Sequence, residues 1–467
     1  MTNETTGVLP NLLIIVADQC RYDCIGYAGI YPVRTPHLDR LASEGVWFSE
    51  AYTPIPLCSP ARQAFLNGSR PESFGGLWNY GLGLAIPALP PERFSWPREL
   101  AGRYASCYIG KWGVHPQHGP AAYGFDRSIG EQDYAAYRRQ QGYPQPQENG
   151  YFGETDPAPL THARTHWLAR QASEQVSALS KSGRPWHVQL HFPEPHPPCR
   201  PSPPFAEMYD AQSVPMWHNF SDTFRNKPYI QKQQLYNWGV HDWDWEDWAP
   251  VAARYYGIIS QMDDAVGLLL QTLEETGQAD NTIVVFTADH GDLCGAHRMM
   301  DKHYVMYDDI VKVPFIVRWP NRAAAGRRCD AFVCPMLDLP PTFLEEARIG
   351  LPDHLHGRSL LPLLSGETPA VWREEAVATY NGQQFGLYTQ RMIRTRDWKY
   401  VWNTTDIDEL YDLRQDPGEL DNRIDDRSRK ELVGELRRRL YDILLREQDG
   451  LVNNPWMRDQ LLLNRKL

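Results

Sequence analysis

No apolar run in the 467-residue sequence approaches the ~20 consecutive residues that span a bilayer. The longest such stretch near the start, Leu12 to Ala17, is too short for the core of a signal peptide and runs straight into Asp18. The chain as given therefore reads as cytoplasmic, with no membrane partner. An excess of positive charge is also missing. The formal net charge is −11, which argues against nucleic acid as a main partner, because phosphate binding needs a basic face. Cysteine is sparse, with eight residues at 20, 24, 58, 107, 199, 294, 329 and 334. None forms the C-x-x-C pairs of a zinc site. Most are expected to be reduced, buried thiols packing as small hydrophobes, with Cys58 as the exception. At 42% hydrophobic and 22% charged residues, the composition excludes a disulfide-stapled miniprotein, a collagen and a disordered chain. The length allows one large core and a smaller companion domain.

The hydrophobic pattern predicts an α/β fold with a large, mostly parallel sheet. Asn11 to Ala17 is a continuous apolar run, as suits a strand buried on both faces. Ala105–Ile109, Trp186–Phe192, Thr282–Phe286 and Pro314–Val317 read as further strands. Thr35 to Gly45 reads as a helix with Thr35 as N-cap, Pro36 in the first turn and Gly45 as the stop. Ala163–Leu179 and Val251–Thr276 are predicted helices, and their alternation with strands points to a parallel-rich sheet. The character changes near Gly366. Short alternating segments, Tyr388–Arg396 and Trp398–Trp402, then precede a charged helix from about Arg427 to Arg446. Residues 1–365 are accordingly assigned to a catalytic domain. Residues 366–467 are assigned to a C-terminal subdomain, a small antiparallel sheet with a packed helix.

Three places could carry chemistry. Asp18-Gln19 follows the first strand, where sites form in open α/β sheets. Thr282–Ala288 runs into Asp289-His290-Gly291-Asp292, so two strands could bring Asp18 and Asp289 together. Oxygen ligands with one imidazole suit Ca²⁺, Mg²⁺ or Mn²⁺. The plainer alternative is a pair of helix caps, and the spacing does not choose. The third place is Leu57-Cys58-Ser59-Pro60-Ala61-Arg62, with an apolar helical stretch to Leu66. A cysteine at a helix N-terminus beside an arginine suits a thiolate nucleophile and an anion-holding guanidinium.

Leu57-Cys58-x-Pro60-x-Arg62 resembles the signature of formylglycine-dependent sulfatases, members of the alkaline phosphatase superfamily. Gly110-Lys111-Trp112 resembles the family's Gly-Lys-Trp-His element, and Pro195-His196-Pro197-Pro198 its substrate-side histidine loop. Asp289-His290-Gly291 with Lys302 is similar to the second metal motif and leaving-group lysine. Asp397-Trp398-Lys399-Tyr400, Leu410-Tyr411-Asp412-Leu413 and Asp416-Pro417 are similar to its C-terminal subdomain. There are departures. Asp18-Gln19 stands where most sulfatases have Asp-Asp, and Asp289-His290 where they have Asp-Asn. Both pairs are similar to those of phosphonate monoester hydrolases and partly to those of choline sulfatases. Asn79 sits where the phosphonate group carries an asparagine. The family histidine two residues after the lysine is Gly113 here, with His115 two residues further on as the candidate to fill its place.

The resemblance implies an alkaline-phosphatase-like fold and hydrolysis of a sulfate monoester of a small molecule or saccharide. It implies one divalent cation held by Asp18, Gln19, Asp289, His290 and residue 58. It also implies a formylglycine-generating enzyme as partner, converting Cys58 to an aldehyde. The hydrated aldehyde would attack sulfur, give a covalent sulfate and release it by elimination. Arg62 would hold the diol, and Lys111 and Lys302 would stabilise the sulfuryl oxygens. His196 or Lys302 would protonate the leaving oxygen, with His115 in the family histidine's role. Asn79, Lys111, His196 and Lys302 would contact substrate. A phosphonate monoester or phosphodiester hydrolase, and a non-catalytic anion-binding relative, are the rival readings. His297 and His303 are expected to stand outside the direct site. The Trp-rich stretch from Trp217 to Trp248 is expected to pack an insertion or an oligomer interface in preference to stacking a sugar.

Overall fold

The computed structural model describes residues 9–80, 88–145, 149–320, 322–383 and 386–466. The apolar run predicted as the first strand is β1 (Asn11–Asp18), with every side chain buried. It lies at the centre of an eight-stranded sheet, flanked by two strands whose sequences are equally short of exposed positions. In chain order the others are β2 (Val46–Phe48), β3 (Ala105–Gly110), β4 (Arg127–Gly130), β5 (Trp186–Pro195), β6 (Thr282–Ala288), β7 (Phe315–Arg318) and β8 (Arg327–Cys329). They are arranged β4-β3-β5-β1-β6-β7-β2-β8. Only β7 runs against the rest, pairing antiparallel with both β6 and β2. β2, β4 and β8 have three or four residues each, too short for an alternation pattern, and none was foreseen.

The predicted helices form with shifted ends. Arg164–Leu179 matches its expectation. The long helix begins at Trp245 instead of Val251 and runs to Glu275. Asp244 caps it, accepting the backbone N–H groups of Glu246 and Asp247, and Pro250 is accommodated near its start. In the helix Pro36–Glu44, Thr35 occupies the N-cap position without capping. Its hydroxyl accepts from Gly26 N–H, and Asp263 of the long helix takes the N–H groups of His37 and Leu38. A helix end is thus satisfied by tertiary contact, which local sequence cannot reveal.

The change of character near Gly366 is a change of sheet more than a change of core. β9 (Ala376–Tyr380), β10 (Gln390–Arg394), β11 (Trp398–Asn403) and β12 (Glu409–Asp412) form an antiparallel sheet in the order β12-β11-β10-β9. One face, including Ala378, Met392 and Val401, joins the main core. The other, with Ile393, Tyr400 and Trp402, packs on the helix Lys430–Arg446 and makes a second, smaller core. No described helix is long and apolar enough to cross a membrane. All eight cysteines are free thiols, and all are buried, Cys58 included.

Within the Trp-rich insertion, Trp217 and Trp248 are buried, and Trp238, Trp243 and Trp245 pack partly buried against the core. Trp217 donates through Nε1 to the Cys294 carbonyl at 2.7 Å, and the Arg21 guanidinium lies 4.3 Å above its ring. Trp217→Ala is expected to lower unfolding stability by about 3–5 kcal/mol, the scale of emptying an aromatic core position. Urea denaturation followed by tryptophan fluorescence and circular dichroism measures it. A loss well under ~1 kcal/mol would show that this cluster does not hold the insertion down.

Candidate active site

Strand register brings the candidate residues together. β1 and β6 run parallel with Ala17 opposite Ala288, so Asp18 and Asp289 leave the sheet side by side. On the other flank Asp18 faces Pro195 of β5, which sets His196 beside the same edge. β3 ends with Gly110 opposite His191, and Lys111 N–H donates to the His191 carbonyl at 2.9 Å. Four neighbouring strands thus deliver their C-terminal residues to one place, the crevice where α/β sheets bind ligands.

Cys58 enters from the facing loop as the first residue of the helix Cys58–Asn67, a helix buried along its whole length. Its Sγ lies 3.5 Å from Asp18 Oδ1 and 3.3 Å from His290 Nε2. Ligand atoms of Asp18, Cys58, Asp289 and His290 all lie within 4.8 Å of one another, fully enclosed. The donor chemistry of this group fits a divalent cation. The His290 Nδ1–H donates to the Gly291 carbonyl at 2.9 Å, which fixes the tautomer and leaves the Nε2 lone pair facing the group. Burial pushes the His290 pKa down, towards the neutral, ligating form. Asp289 Oδ2 is buried, with the Arg62 guanidinium 3.0 Å away as its neighbour.

Cations surround these carboxylates. Arg62 Nη2 sits 2.9 Å from Asp18 Oδ2 and 3.0 Å from Asp289 Oδ2, and Lys111 Nζ sits 2.5 Å from Asp18 Oδ2. Burial alone would raise the Asp18 pKa, but Lys111 and Arg62 outweigh it and hold the carboxyl well below its ordinary value. Lys302 is opposed by burial and then favoured by Asp301, so its ammonium persists well above the usual lysine range. His196 is pushed down by burial and by the charges of Lys302 and Lys111. Its Nδ1–H donates to the Pro197 carbonyl at 2.6 Å, so its Nε2 accepts from Lys302 Nζ at 3.0 Å.

Two expectations are corrected. Gln19 does not present its amide oxygen alongside the other four residues. Its Oε1 accepts from Lys302 Nζ at 2.5 Å, and its Nε2 donates to Asp292 Oδ2 and Asp301 Oδ1 at 2.7 and 2.8 Å. The reason is the backbone. Gln19 leaves β1 at φ 65°, which turns its side chain towards the loop carrying Asp292 and Lys302. Nor does His115 join the group. Its Nδ1 accepts the N–H groups of Gln117 and His118 in its own half-exposed loop. Gly113 explains the lack of a substitute at the family position. A Cβ there would stand 3.1 Å from Arg62 Cδ, on a backbone with φ 63°.

Asn79 reaches the site indirectly, its Oδ1 accepting Ser59 N–H at 2.8 Å in the first turn of the Cys58 helix. His303 lies 3.0 Å from Asp301, one contact removed from Lys302. His297 is buried against Asp222 at 2.6 Å, away from the cation group. Sequence reasoning missed His191, whose Nδ1 lies 2.6 Å from Arg62 Nη1. Its signal was present: His187, Gln189 and His191 alternate with apolar residues over Trp186–Phe192, and their side chains form a buried chain of hydrogen bonds. Asp292 and Asp301, which grip the Gln19 amide, were missed too.

A family model described as sulfatase matches residues 10–349, well over half of the chain. A second, described as N-sulphoglucosamine sulphohydrolase, C-terminal, matches residues 295–446. An arylsulfatase of Clostridium perfringens is 29% identical, covering 94% of this chain and 95% of its own. An N-acetylglucosamine-6-O-sulfatase of Bacteroides thetaiotaomicron is 25% identical over 88% and 82%. The crystal structure of the phosphonate monoester hydrolase of Agrobacterium radiobacter superposes with a TM-score of 0.78 at 25% identity, covering 94% and 96%. Site geometry, fold and family match agree, and the chain belongs to the sulfatase family, enzymes that hydrolyse sulfuric esters.

Proposed function

We propose that this chain hydrolyses a sulfate monoester at residue 58 after conversion of Cys58 to formylglycine, with one divalent cation held by Asp18, Asp289, His290 and residue 58. The observation that carries the reading is the placement of Cys58. It opens a buried helix, its Sγ within 3.5 Å of Asp18 Oδ1 and His290 Nε2, with Arg62 bound to Asp18 and Asp289. The aldehyde, once hydrated, supplies an oxygen nucleophile, and the cation supplies Lewis acidity.

The chain's own residues do the rest. Lys111 stands against Asp18 with its side chain 21% exposed, so it faces both the carboxylate and an incoming sulfate. A fixed ammonium there stabilises charge gathering on the sulfuryl oxygens. Lys302 holds the proton for the leaving oxygen. His196 Nε2 accepts from it, so in this arrangement the transferable proton sits on Lys302 Nζ. Arg62, tied to Asp18, Asp289, His191 and the Lys111 carbonyl, orients the carboxylates.

A second reading, phosphonate monoester hydrolysis, is favoured by Gln19, Asn79 and His290 and by the likeness to the Agrobacterium enzyme. Substrate charge does not separate the two readings, because both esters carry one negative charge. Lys111 favours the first reading, because the phosphonate hydrolases that the chain resembles carry a different residue at that place. The kcat/KM for an aryl sulfate is therefore expected to exceed that for the matching phenyl phosphonate. Lys111→Ala is expected to lower the sulfatase rate by at least ~10²-fold, the scale of one lost oxyanion donor. Parallel rate series on both substrates check this, and a wild-type preference for the phosphonate would install the second reading. Cys58→Ala should abolish aryl sulfate turnover while leaving the circular dichroism spectrum and melting temperature in place. Undiminished turnover would remove residue 58 as nucleophile.

Cation binding has its own readout. Calorimetric titration of chelated protein with Mn²⁺ is expected to give one site per chain, weakened at least ~10-fold in Asp289→Ala. Equal affinity in that variant would dissolve the proposed ligand set.

A further inference from the structure

At the seam between the main core and the C-terminal sheet lies a cavity of about 530 Å³, within the usual size of a ligand site. The helix Pro335–Glu346, the loop 353–358, β9 and the helix Lys430–Arg446 all contribute to its wall, and no residue of the cation group does. We propose that this cavity is a second, non-catalytic site for a tetrahedral oxyanion, sulfate or phosphate, held by Arg358, Arg446 and the Nε2–H of His356. The site stands apart from the activity assigned above.

What distinguishes the cavity is one unpaired arginine among paired ones. Five arginines line it. Arg70 binds Glu447, Arg373 grips both oxygens of Asp338 at 2.7 and 2.8 Å, and Arg439 binds Glu375. Arg358 differs. Its backbone N–H donates to Asp338 Oδ1 at 2.8 Å, but its guanidinium has no hydrogen bond or ion pair among the described residues. Its Cζ lies 5.8 Å from the centre of the Trp372 ring, another wall residue, which places the charge at the cavity. Burial, and then the like charge of Arg373, push its pKa below the ordinary arginine value, as befits a cation short of counter-charge. The four lining carboxylates do not make up the deficit. Glu375 and Glu447 are already engaged, and Asp353 and Glu374 are exposed, where water weakens their pull.

Two more donors stand in the same wall. Burial pushes the His356 pKa down to about 4, so its ring is neutral near pH 7. Its Nδ1 accepts the Arg70 N–H at 3.0 Å, which puts the ring proton on Nε2, and that N–H has no partner among the described residues. Arg446 spends one terminal nitrogen on Glu447 at 3.2 Å, and its side chain is 63% exposed at the rim. The loop carrying Arg358 and His356 is fixed before an anion arrives. A Cβ on Gly357 would lie 1.7 Å from the Leu337 carbonyl oxygen, so the backbone is pressed onto its neighbouring helix. His356 N–H donates to the Gly68 carbonyl at 3.0 Å and ties the loop to the chain beyond the Cys58 helix. Donors on three side chains suit an anion with four acceptor oxygens better than one with two.

The test is equilibrium dialysis of radiolabelled sulfate against Lys111→Ala, whose catalytic site has lost a sulfate-facing cation, and against the Lys111→Ala/Arg358→Gln double variant. The single variant is expected to keep a saturable sulfate site that the double variant binds about 10-fold or more weakly, the scale of a lost charged hydrogen bond. Unlabelled phosphate is expected to compete for it, and the competition curve shows which of the two anions it prefers. Acetate is expected to compete more weakly than either. Arg358→Gln alone is expected to keep kcat/KM for an aryl sulfate within about 2-fold of wild type, as a distant and independent position should. Melting temperatures report the folding of each variant. Arg446→Gln, at the exposed rim, carries the test with a weakening of about 3-fold if Arg358→Gln does not fold. Equal sulfate affinity in the single and double variants, no saturable binding to Lys111→Ala, or acetate competing as well as phosphate would overturn the site.

Discussion

Asp18 is a fully buried carboxylate, and the architecture of the site follows from keeping it charged. An isolated ion in that position would cost several kcal/mol in lost hydration. Arg62 and Lys111, both within 3 Å, supply the compensating charge, and each comes from a different element. Arg62 is itself buried and in turn needs Asp289, His191 and the Lys111 carbonyl. Removing one member leaves another charge stranded, so the group stands or falls together. Such a cluster is a poor way to gain stability and a good way to hold charges fixed before a substrate arrives.

That group exists only because four parallel strands end together. The register of β1 with β6 runs unbroken from Asn11 opposite Thr282 to Ala17 opposite Ala288, whereas its register with β5 shifts between Val16 and Asp18. The regular pairing thus sets Asp18 beside Asp289 and Gly110 beside His191, while the irregularity at the end of β5 re-aims the segment that leads to His196. The C-terminal sheet adds support from the side. β9 and β10 close the main core, and Gln383 Oε1 accepts Asn79 N–H while Asn79 holds the first turn of the Cys58 helix. A chain of contacts thus links the companion sheet to the nucleophile's helix.

The central strands were legible in the sequence because burial on both faces writes an unbroken apolar run. The three short strands β2, β4 and β8 were not, because three or four residues carry no period. Pro250 hid the true start of the long helix, although Asp244 and Asp247 spell a capping pattern ahead of it. In the site, Cys58, Arg62, Lys111, Asp289 and His290 were singled out because short motifs around them resemble those of a family, whereas spacing alone did not choose between a cation site and helix caps. Gln19 and His115 were misplaced because their orientation depends on backbone turns and loop hydrogen bonds that no spacing encodes. His191 was overlooked although polar residues alternating inside a buried strand always need partners.

The chemical state of residue 58 tests the account most directly. Asp18, Asp289 and His290 gather around that side chain, and a thiol and a hydrated aldehyde would use the same surroundings differently. The decisive measurement is the mass of the peptide spanning residue 58, taken from enzyme produced alongside a formylglycine-generating enzyme and assayed for sulfate ester hydrolysis. The account predicts that activity rises in proportion to the fraction of peptide whose cysteine mass has been replaced by that of formylglycine. Full activity in a sample whose residue 58 is entirely unmodified cysteine would contradict it.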